Sequence, residues 1–203
     1  MRHSLRKSVL VLFAILVVVI IVSSLIYFNT RAHRSTKTIP LPSAVRDKPQ
    51  IIKIRSPVIT NGSNIPKRYT CDGLAISPPI TIYNIPREVK ELVLIMYDPD
   101  APNGIFYHWV MYQIKPSEYV NIPEALPATP IISGIGVQGV NSYGKIGYGP
   151  PCPPRGSKHR YVILVIGLNR ELRLPPGLTA EKLLAIIKPH VVAYGLLYGY
   201  YSR

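Results

Sequence analysis

The chain has 203 residues, 21 of them proline, and carries a formal net charge of +14 at pH 7. Despite this charge, the sequence contains no basic helix, no zinc-finger spacing and no aromatic–basic RNA-binding motif, so no nucleic-acid partner is predicted. Its two cysteines do not form a CxxC pair, which leaves a zinc or thioredoxin-type centre without support.

The beginning of the chain is predicted to be a membrane anchor. A basic arm at 1–8, with Arg2, Arg6 and Lys7, precedes an uncharged and strongly apolar run at 9–28. A helix of that length, at about 1.5 Å per residue, crosses the roughly 30 Å hydrocarbon core of a bilayer. A cleaved secretory signal peptide is the alternative, although its apolar region is usually only about 7–15 residues long.

Residues 29–50 are predicted to form a linker between this anchor and a folded domain. The segment contains Pro40, Pro42 and Pro49 among Ser, Thr, Arg and Lys, and it shows no apolar periodicity. Basic residues flank the apolar run on both sides, and the charge of the α-amino group favours an N-terminus inside the cell. We therefore expect a single-pass protein of the cell membrane with an extracytoplasmic main domain.

Residues 51–203 are predicted to form one mainly β domain. Apolar runs bounded by Pro and Gly predict strands at 51–55, 79–85, 91–97, 108–114 and 160–168, with weaker candidates at 57–60 and 119–122. A helix is predicted at 179–188, where Thr179 is a suitable N-cap. The apolar and aromatic segment 190–203 fits either a strand or a short helix. Residues 115–158, rich in Pro and Gly, are predicted to be largely loop.

Cys71 and Cys152 leave two interpretations open. In a domain outside the membrane they could form one disulfide, which is worth about 4–5 kcal/mol for a loop of this length. Two free, buried thiols are equally compatible with the sequence.

Two short segments carry most of the functional information. DPDAPNGIFYHWV at 98–110 and GPPCPPRGSKHRY at 149–161 each join charged or imidazole side chains to a strand through a loop rich in Pro and Gly. In an antiparallel sheet the end of one strand lies beside the start of the next. Asp98, His108 and His159 are therefore expected to meet at one sheet edge, where an acid and two imidazoles would form a pocket for a small anion.

The same residues are compatible with other interpretations. Both histidines could be structural residues at strand ends, and Asp98 and Asp100 could be turn residues. The residue types also fit a two-histidine, one-carboxylate metal site, but no HxH or HxxxH spacing supports one, and no metal is predicted. The sequence has no GxSxG motif, so no hydrolase nucleophile is predicted. No cofactor is expected.

Taken together, the motifs resemble the phosphatidylethanolamine-binding protein family, in particular its bacterial and archaeal branch, often labelled Raf kinase inhibitor-like. The resemblance covers nearly all of 51–203 and rests on YTCDG, SPP, DPDAPNGIFYHWV, GYGPPCPPRG, HRY and the terminal GYYSR. It implies an antiparallel β-sandwich, with a central sheet, a second small sheet and one or two flanking helices. It also implies a cavity that binds phosphate-like anions without metal.

Carried over residue by residue, the resemblance implies that Asp98, His108, His159 and Tyr161 form this cavity. Arg160 and Asp100 would support it, and backbone groups of the loop around Gly149 would line it. One departure matters: many relatives have Gly at the position of Pro150, and proline has no N–H to donate to an anion.

The expected function is that of a membrane-anchored protein that binds a small phosphate-like anion, such as a phospholipid headgroup or a phosphorylated group. The alternative is an inhibitor of a serine protease or a kinase, with the loop at 127–145 entering a protease cleft. A third interpretation is an enzyme that acts on phosphoesters. The expected partners are a small anionic ligand or lipid headgroup, the membrane through 9–28, and in the alternative a protease or kinase.

Overall fold

This computed structural model describes residues 17–23 and 38–203. The chain divides into two units, Met1–Ile39 and Pro40–Arg203. Residues 17–23 of the first unit are helical, and their side chains are exposed. No helix among the residues described is long and apolar enough to span a membrane.

Most of the predicted N-terminal region falls outside this description. Of the predicted transmembrane helix at 9–28, only 17–23 is described. The basic arm at 1–8 and the linker as far as residue 37 also lie outside the described residues. The membrane anchor therefore remains a prediction from the sequence.

The second unit is mainly β, as predicted. In chain order its elements are β1 Lys53–Arg55, β2 Ile80–Tyr83, β3 Glu91–Asp98, β4 Phe106–Ile114, β5 Tyr119–Ile122, β6 Ile131–Ile132, β7 Gly136–Gln138, β8 Lys158–Leu168, α1 Ala180–Ile187 and β9 Val191–Ser202. Short 3-10 turns at Lys67–Tyr69 and Lys188–His190 complete it. Helix α1 begins after Thr179, whose side chain accepts a hydrogen bond from the Lys182 amide, as expected of an N-cap.

These strands form two antiparallel sheets. The larger has six strands in the order β6-β7-β4-β3-β8-β9, and the smaller has three in the order β1-β2-β5. Side chains alternate between the two faces of a strand. Leu92, Leu94 and Met96 of β3 therefore share one face, where they belong to the same buried cluster as Ile80 and Ile82 of the small sheet. This agrees with the expected fold of a central sheet covered by a second, small one.

Strands β3 and β8 are central in the large sheet, and this position explains their composition. Every residue of β3 is buried, and in β8 only Lys158 is exposed. A strand covered on both faces reads as a continuous apolar run rather than an alternating one. The same property made both strands recognisable in the sequence.

Several predicted elements differ from the structure. The weak candidate at 57–60 is not a strand, and the predicted loop 115–158 contains β6 and β7. The weak candidate at 119–122 is confirmed as β5, and of the two alternatives for 190–203 the structure has the strand, β9. Helix α1 is also shorter than predicted, because Lys188 already belongs to a 3-10 turn that contains Pro189.

The folded unit begins earlier than predicted, at Pro40 rather than residue 51. The Tyr97 hydroxyl donates a hydrogen bond of 2.9 Å to the Pro40 carbonyl, and the side chains of Ala44 and Val45 are buried. Residues 40–50 were assigned to the linker because their Pro-rich composition is also that of an extended segment. Their apolar contacts place them in the folded unit instead.

Candidate functional site

A cavity of about 310 Å³ lies at one end of the large sheet. Asp98 is the last residue of β3, His108 lies near the start of β4, and His159 lies near the start of β8. Because β4, β3 and β8 are neighbours and antiparallel, these positions reach the same edge. All of them line the cavity, together with Tyr161 of β8.

Asp98 and His159 form a buried pair. The Nδ1 atom of His159 lies 2.7 Å from Oδ2 of Asp98, and the other carboxylate oxygen accepts a hydrogen bond of 2.8 Å from the Asp100 amide. Burial raises the pKa of Asp98, while the hydrogen bond from His159 acts in the opposite direction. The carboxylate thus fixes the orientation of the His159 ring and holds the turn that follows β3.

His108 is hydrogen-bonded to the backbone and not to a charged side chain. Its Nδ1 lies 2.8 Å from the Gly149 carbonyl oxygen, and the Gly149 amide donates a hydrogen bond of 2.6 Å to the His108 carbonyl. A carbonyl oxygen only accepts, so Nδ1 carries the proton. Burial lowers the pKa of His108 to about 4, and the neighbouring His159 contributes in the same direction. His108 is therefore neutral at pH 7.

Tyr161 supplies a buried hydroxyl to the same cavity. The residue is 1% exposed, and its ring centroid lies 5.2 Å from that of His108. The hydroxyl has no hydrogen bond of normal geometry within the described part of the chain. Burial, and then the nearby Asp98 carboxylate, raise the pKa of the phenol far above its usual value. The group therefore remains an O–H donor at neutral pH.

The remaining predicted site residues lie behind the cavity. The Arg160 amide donates a hydrogen bond of 3.0 Å to Oδ2 of Asp100, and the Arg160 guanidinium lies 3.9 Å from the other oxygen of that carboxylate. Their support of a ligand cavity stays a prediction. Gly149 holds His108 but does not line the cavity. It therefore positions His108 rather than facing a ligand.

Two aromatic residues of the wall were missed from the sequence. The Phe106 ring lies 4.9 Å from the His108 ring and 4.7 Å from that of Tyr143, measured between centroids. Phe106 precedes His108 by two positions in a strand, so the alternation of β4 could have identified it. Tyr143 lies in a loop, and nothing in its spacing indicates its contact with the site.

The outer wall is apolar and stiff. Pro102, Pro153 and Pro154 line it, and Ile105 is 41% exposed at its edge. Cys152 also lines the cavity and is joined to Cys71 by a disulfide, so the structure adopts that alternative of the two the sequence left open. The Cys71 amide donates to the Pro151 carbonyl at 3.1 Å, which adds a second link between the two segments.

The cavity thus combines the O–H donor of Tyr161 with the His159 imidazole, which is paired with a carboxylate, inside a wall of aromatic rings and prolines. Among the residues described, no group of three or more His, Cys, Asp or Glu side chains is arranged to hold a metal ion. Ser157, the serine nearest to His159 in the sequence, donates its hydroxyl to the carbonyl of Pro154 in its own turn.

Comparison with known proteins gives one consistent result. The family model described as phosphatidylethanolamine-binding protein matches residues 55–202. A UPF0098 protein of Aquifex aeolicus is 45% identical over 155 residues, which cover 75% of this chain and 90% of that protein. A UPF0098 protein of Pyrococcus abyssi is 41% identical over 160 residues, covering 76% of this chain and 86% of its own length.

Solved structures agree with these relatives. A phosphatidylethanolamine-binding protein homolog from Chlamydia trachomatis, CT736, superposes with a TM-score of 0.68 at 38% identity, covering 76% of this chain and 99% of that one. Escherichia coli YbcL, described as a member of the mammalian PEBP family, also gives a TM-score of 0.68, at 24% identity, covering 75% of this chain and 99% of its own. The second likeness concerns the fold alone.

Proposed function

Because the chain belongs to the phosphatidylethanolamine-binding protein family, we propose that it binds a small phosphate-like anion in the cavity formed by Asp98, His108, His159 and Tyr161. Membership of this family supports a ligand-binding role in general. The relatives found carry no enzymatic name, which is consistent with binding rather than catalysis. The chemistry of the cavity supports a small anion as the ligand.

The observation that carries this proposal is the Tyr161 hydroxyl. It is buried and close to the Asp98 carboxylate, but it makes no hydrogen bond of normal geometry to the described residues. An unsatisfied buried donor costs about 1–3 kcal/mol, so such a group usually has a partner that the protein itself does not provide. Here it lines the same cavity as His108 and His159, and an oxyanion would accept its proton.

The size and stiffness of the cavity favour a small ligand. A volume of about 310 Å³ is at the lower end of the usual range for ligand pockets, which suits a phosphate or a headgroup better than a whole diacyl lipid. Prolines in the wall reduce the entropy that is lost when the pocket becomes ordered around a ligand. Both features allow weak contacts to a few oxygens to give measurable affinity.

Isothermal titration of the full chain with inorganic phosphate and with O-phosphorylethanolamine tests the proposal. We expect both to bind, and the heat to be lost in His159→Ala. The matched control is His190→Ala, because His190 lies in the 3-10 turn before β9, outside the cavity. Unchanged affinity in His159→Ala, or no binding by the unaltered chain, would exclude the proposed site.

We further propose that 9–28 anchors the protein in the cell membrane with its folded unit outside. The support is the uncharged run itself, of which 17–23 is helical with exposed apolar side chains. Carbonate extraction of membranes from expressing cells tests this. The full chain should remain in the pellet, whereas a chain that begins at residue 38 should be released. Release of both would exclude the anchor.

A pocket ligand is proposed in preference to a protease target for a structural reason. The segment at 127–145 would have to project as a loop to enter a protease cleft. Instead it contains β6 and β7, and β7 pairs with β4 in the large sheet. Gln138 of β7 accepts a hydrogen bond of 2.9 Å from the buried Trp109 indole, which fixes the segment further.

A further inference from the structure

The two histidines of the cavity form their hydrogen bonds through the same ring nitrogen, but one partner is neutral and the other is a carboxylate. Each ring uses Nδ1, which His108 directs to the neutral Gly149 carbonyl and His159 to the Asp98 carboxylate. In each ring Nε2 makes no hydrogen bond of normal geometry to the described residues, although the Pro150 backbone also acts on the His108 ring. Both residues line the cavity, so Nε2 is the ring atom available to a ligand.

This difference gives the two Nε2 atoms different roles. The Nδ1 atom of His159 is bonded to a carboxylate, so a proton that this ring shares with a ligand at Nε2 has a counter-ion in Asp98. His108 has no carboxylate partner, and its Nδ1–H is committed to a carbonyl, so the neutral ring presents a lone pair at Nε2. The ionisable groups near His108 are Asp98 of β3, His159 and Tyr161 of β8, and Tyr143 of the loop. The Asp98 charge is already bonded to His159.

A bare lone pair repels an oxyanion unless a proton lies between them. We infer that the cavity selects oxyanions that can carry a proton, so that it binds phosphate and phosphate monoesters more tightly than sulfate and phosphodiesters. In the bound state a P–OH group donates to Nε2 of His108, while charged phosphate oxygens accept from His159 and Tyr161. This inference rests on the proposed anion-binding function and specifies its ligand class.

The size of the preference follows from the cost of the proton. A phosphate monoester has a second pKa of about 6, so the required proton costs about tenfold in population at pH 7. Sulfate and phosphodiesters hold no proton near neutral pH, so the proton must come to His108, whose burial lowers its pKa to about 4. That costs about a thousandfold at pH 7. The ratio of these two costs, about a hundredfold, is the upper limit of the preference. A bound anion itself favours protonation of the ring and so lowers the second cost, and the expected preference is therefore about tenfold or more but below that limit.

Titration calorimetry of the full chain with two matched pairs of ligands tests this inference. Inorganic phosphate and sulfate have the same shape, and methyl phosphate differs from dimethyl phosphate by one methyl group. At pH 7 we expect the first member of each pair to bind about tenfold or more tightly. Titrations in buffers of different ionisation enthalpy should show that close to one proton is taken up per methyl phosphate, whereas inorganic phosphate already carries a P–OH at pH 7 and needs no such uptake. Near pH 4.5 the gap between phosphate and sulfate should narrow, because protonating His108 then costs only about fourfold in population.

His108→Gln identifies the residue responsible. The glutamine amide can donate where the neutral imidazole accepts, so the preference within each pair should fall to about one and proton uptake should decrease. His190→Gln, the same substitution outside the cavity, should keep the preference of the unaltered chain.

The outcomes separate the inference from the function on which it rests. If none of the four ligands binds, the proposed function fails and the inference fails with it. If all four bind equally at pH 7, the anion site stands and the selectivity is excluded. If His108→Gln keeps the full preference, His108 is not its source. Should that variant not fold, judged by near-ultraviolet circular dichroism, the affinity ratios and proton uptake of the unaltered chain decide.

Discussion

The Nδ1 atom of His159 lies 2.7 Å from Oδ2 of Asp98, although the two residues are 61 positions apart in the chain. Their contact depends on the register between β3 and β8, in which Tyr97 is opposite Val162. A slip of one residue would turn one of the two side chains to the other face of the sheet. The pairing of two central strands therefore determines the geometry of the site.

Replacement of Asp98 by Asn should weaken phosphate binding without loss of the fold. The amide oxygen can still accept from Nδ1 of His159, but the hydrogen bond from the Asp100 amide is then lost, and no negative charge remains beside the ring. Hydrogen bonds to charged groups contribute about 1.5–3 kcal/mol, so we expect the affinity for inorganic phosphate to fall by roughly tenfold or more. Titration calorimetry measures this. Asp47→Asn, at an exposed position away from the cavity, serves as control, and an equal loss in both variants would contradict the expectation.

Tyr161→Phe should separate binding from stability. The substitution removes a hydroxyl that makes no hydrogen bond of normal geometry within the described chain, although it lies near the Asp98 carboxylate, so unfolding in denaturant should show little change in stability. Phosphate affinity should fall by about tenfold, because a donor to a charged ligand is lost. Tyr112→Phe provides the contrast, since the Tyr112 hydroxyl donates to the Pro175 carbonyl at 2.6 Å and its loss should cost stability but not affinity. A Tyr161→Phe variant that is destabilised and binds normally would assign this hydroxyl to the fold.

Gly149→Ala should disturb the cavity wall. A Cβ atom at this position would lie 2.5 Å from Cδ2 of Tyr143 and 3.2 Å from Nδ2 of Asn141. The Tyr143 ring would have to move, which would break its hydrogen bond to the Pro150 carbonyl. We expect a loss of about 1–3 kcal/mol in stability, typical of overpacking. The double variant with Tyr143→Ala should recover part of the loss caused by Gly149→Ala, and fully additive effects would show that this clash is not its cause.

The stability of the fold should decrease in mild acid because of His108. Burial lowers its pKa from 6.5 to about 4, so between these values the unfolded chain binds a proton that the folded chain does not. The contribution is fully present above pH 6.5 and is lost as the pH falls towards 4, with a total of about 3 kcal/mol. Denaturant unfolding between pH 4 and pH 7 measures it. The slope should be smaller in His108→Gln and unchanged in His190→Gln, and equal slopes in all three proteins would contradict the assignment.

Loss of the disulfide should lower both stability and binding. Cys71 and Cys152 are 81 positions apart, and closing a loop of this size is worth about 4–5 kcal/mol in the chain-entropy model. Because Cys152 lines the cavity, its wall should also become less ordered. We expect reductant to lower the unfolding midpoint and the phosphate affinity of the unaltered chain. The double variant Cys71→Ala, Cys152→Ala should show the same losses without reductant and no response to it.

The parts of the fold that could be predicted are those in which local composition reflects burial. The apolar runs of β3 and β8 were recognisable because both faces of each strand are covered. Strands β6 and β7 contain only two and three residues, too few for any periodicity to be visible. Residues 40–50 were misassigned because their place in the folded unit depends on distant partners such as Tyr97.

The site residues likewise divide into those that local sequence could predict and those that depend on distant partners. The positions of Asp98, His108 and His159 at strand ends were enough to predict that they lie close together. The partner of each ring nitrogen could not be predicted, because the Gly149 carbonyl that holds His108 belongs to a loop 41 positions away. Tyr143 was missed for the same reason, since its contacts are made across a loop rather than along a strand.

The link between Cys71 and Cys152 also changes what a protease can do to this protein. Strands β2 to β7, which include two of the strands that carry the cavity, lie inside the covalent ring that it closes. A single cut in the backbone anywhere within that ring leaves one molecule, whose ends stay joined through sulfur. Only a second cut, or a reducing environment, lets the fragments separate.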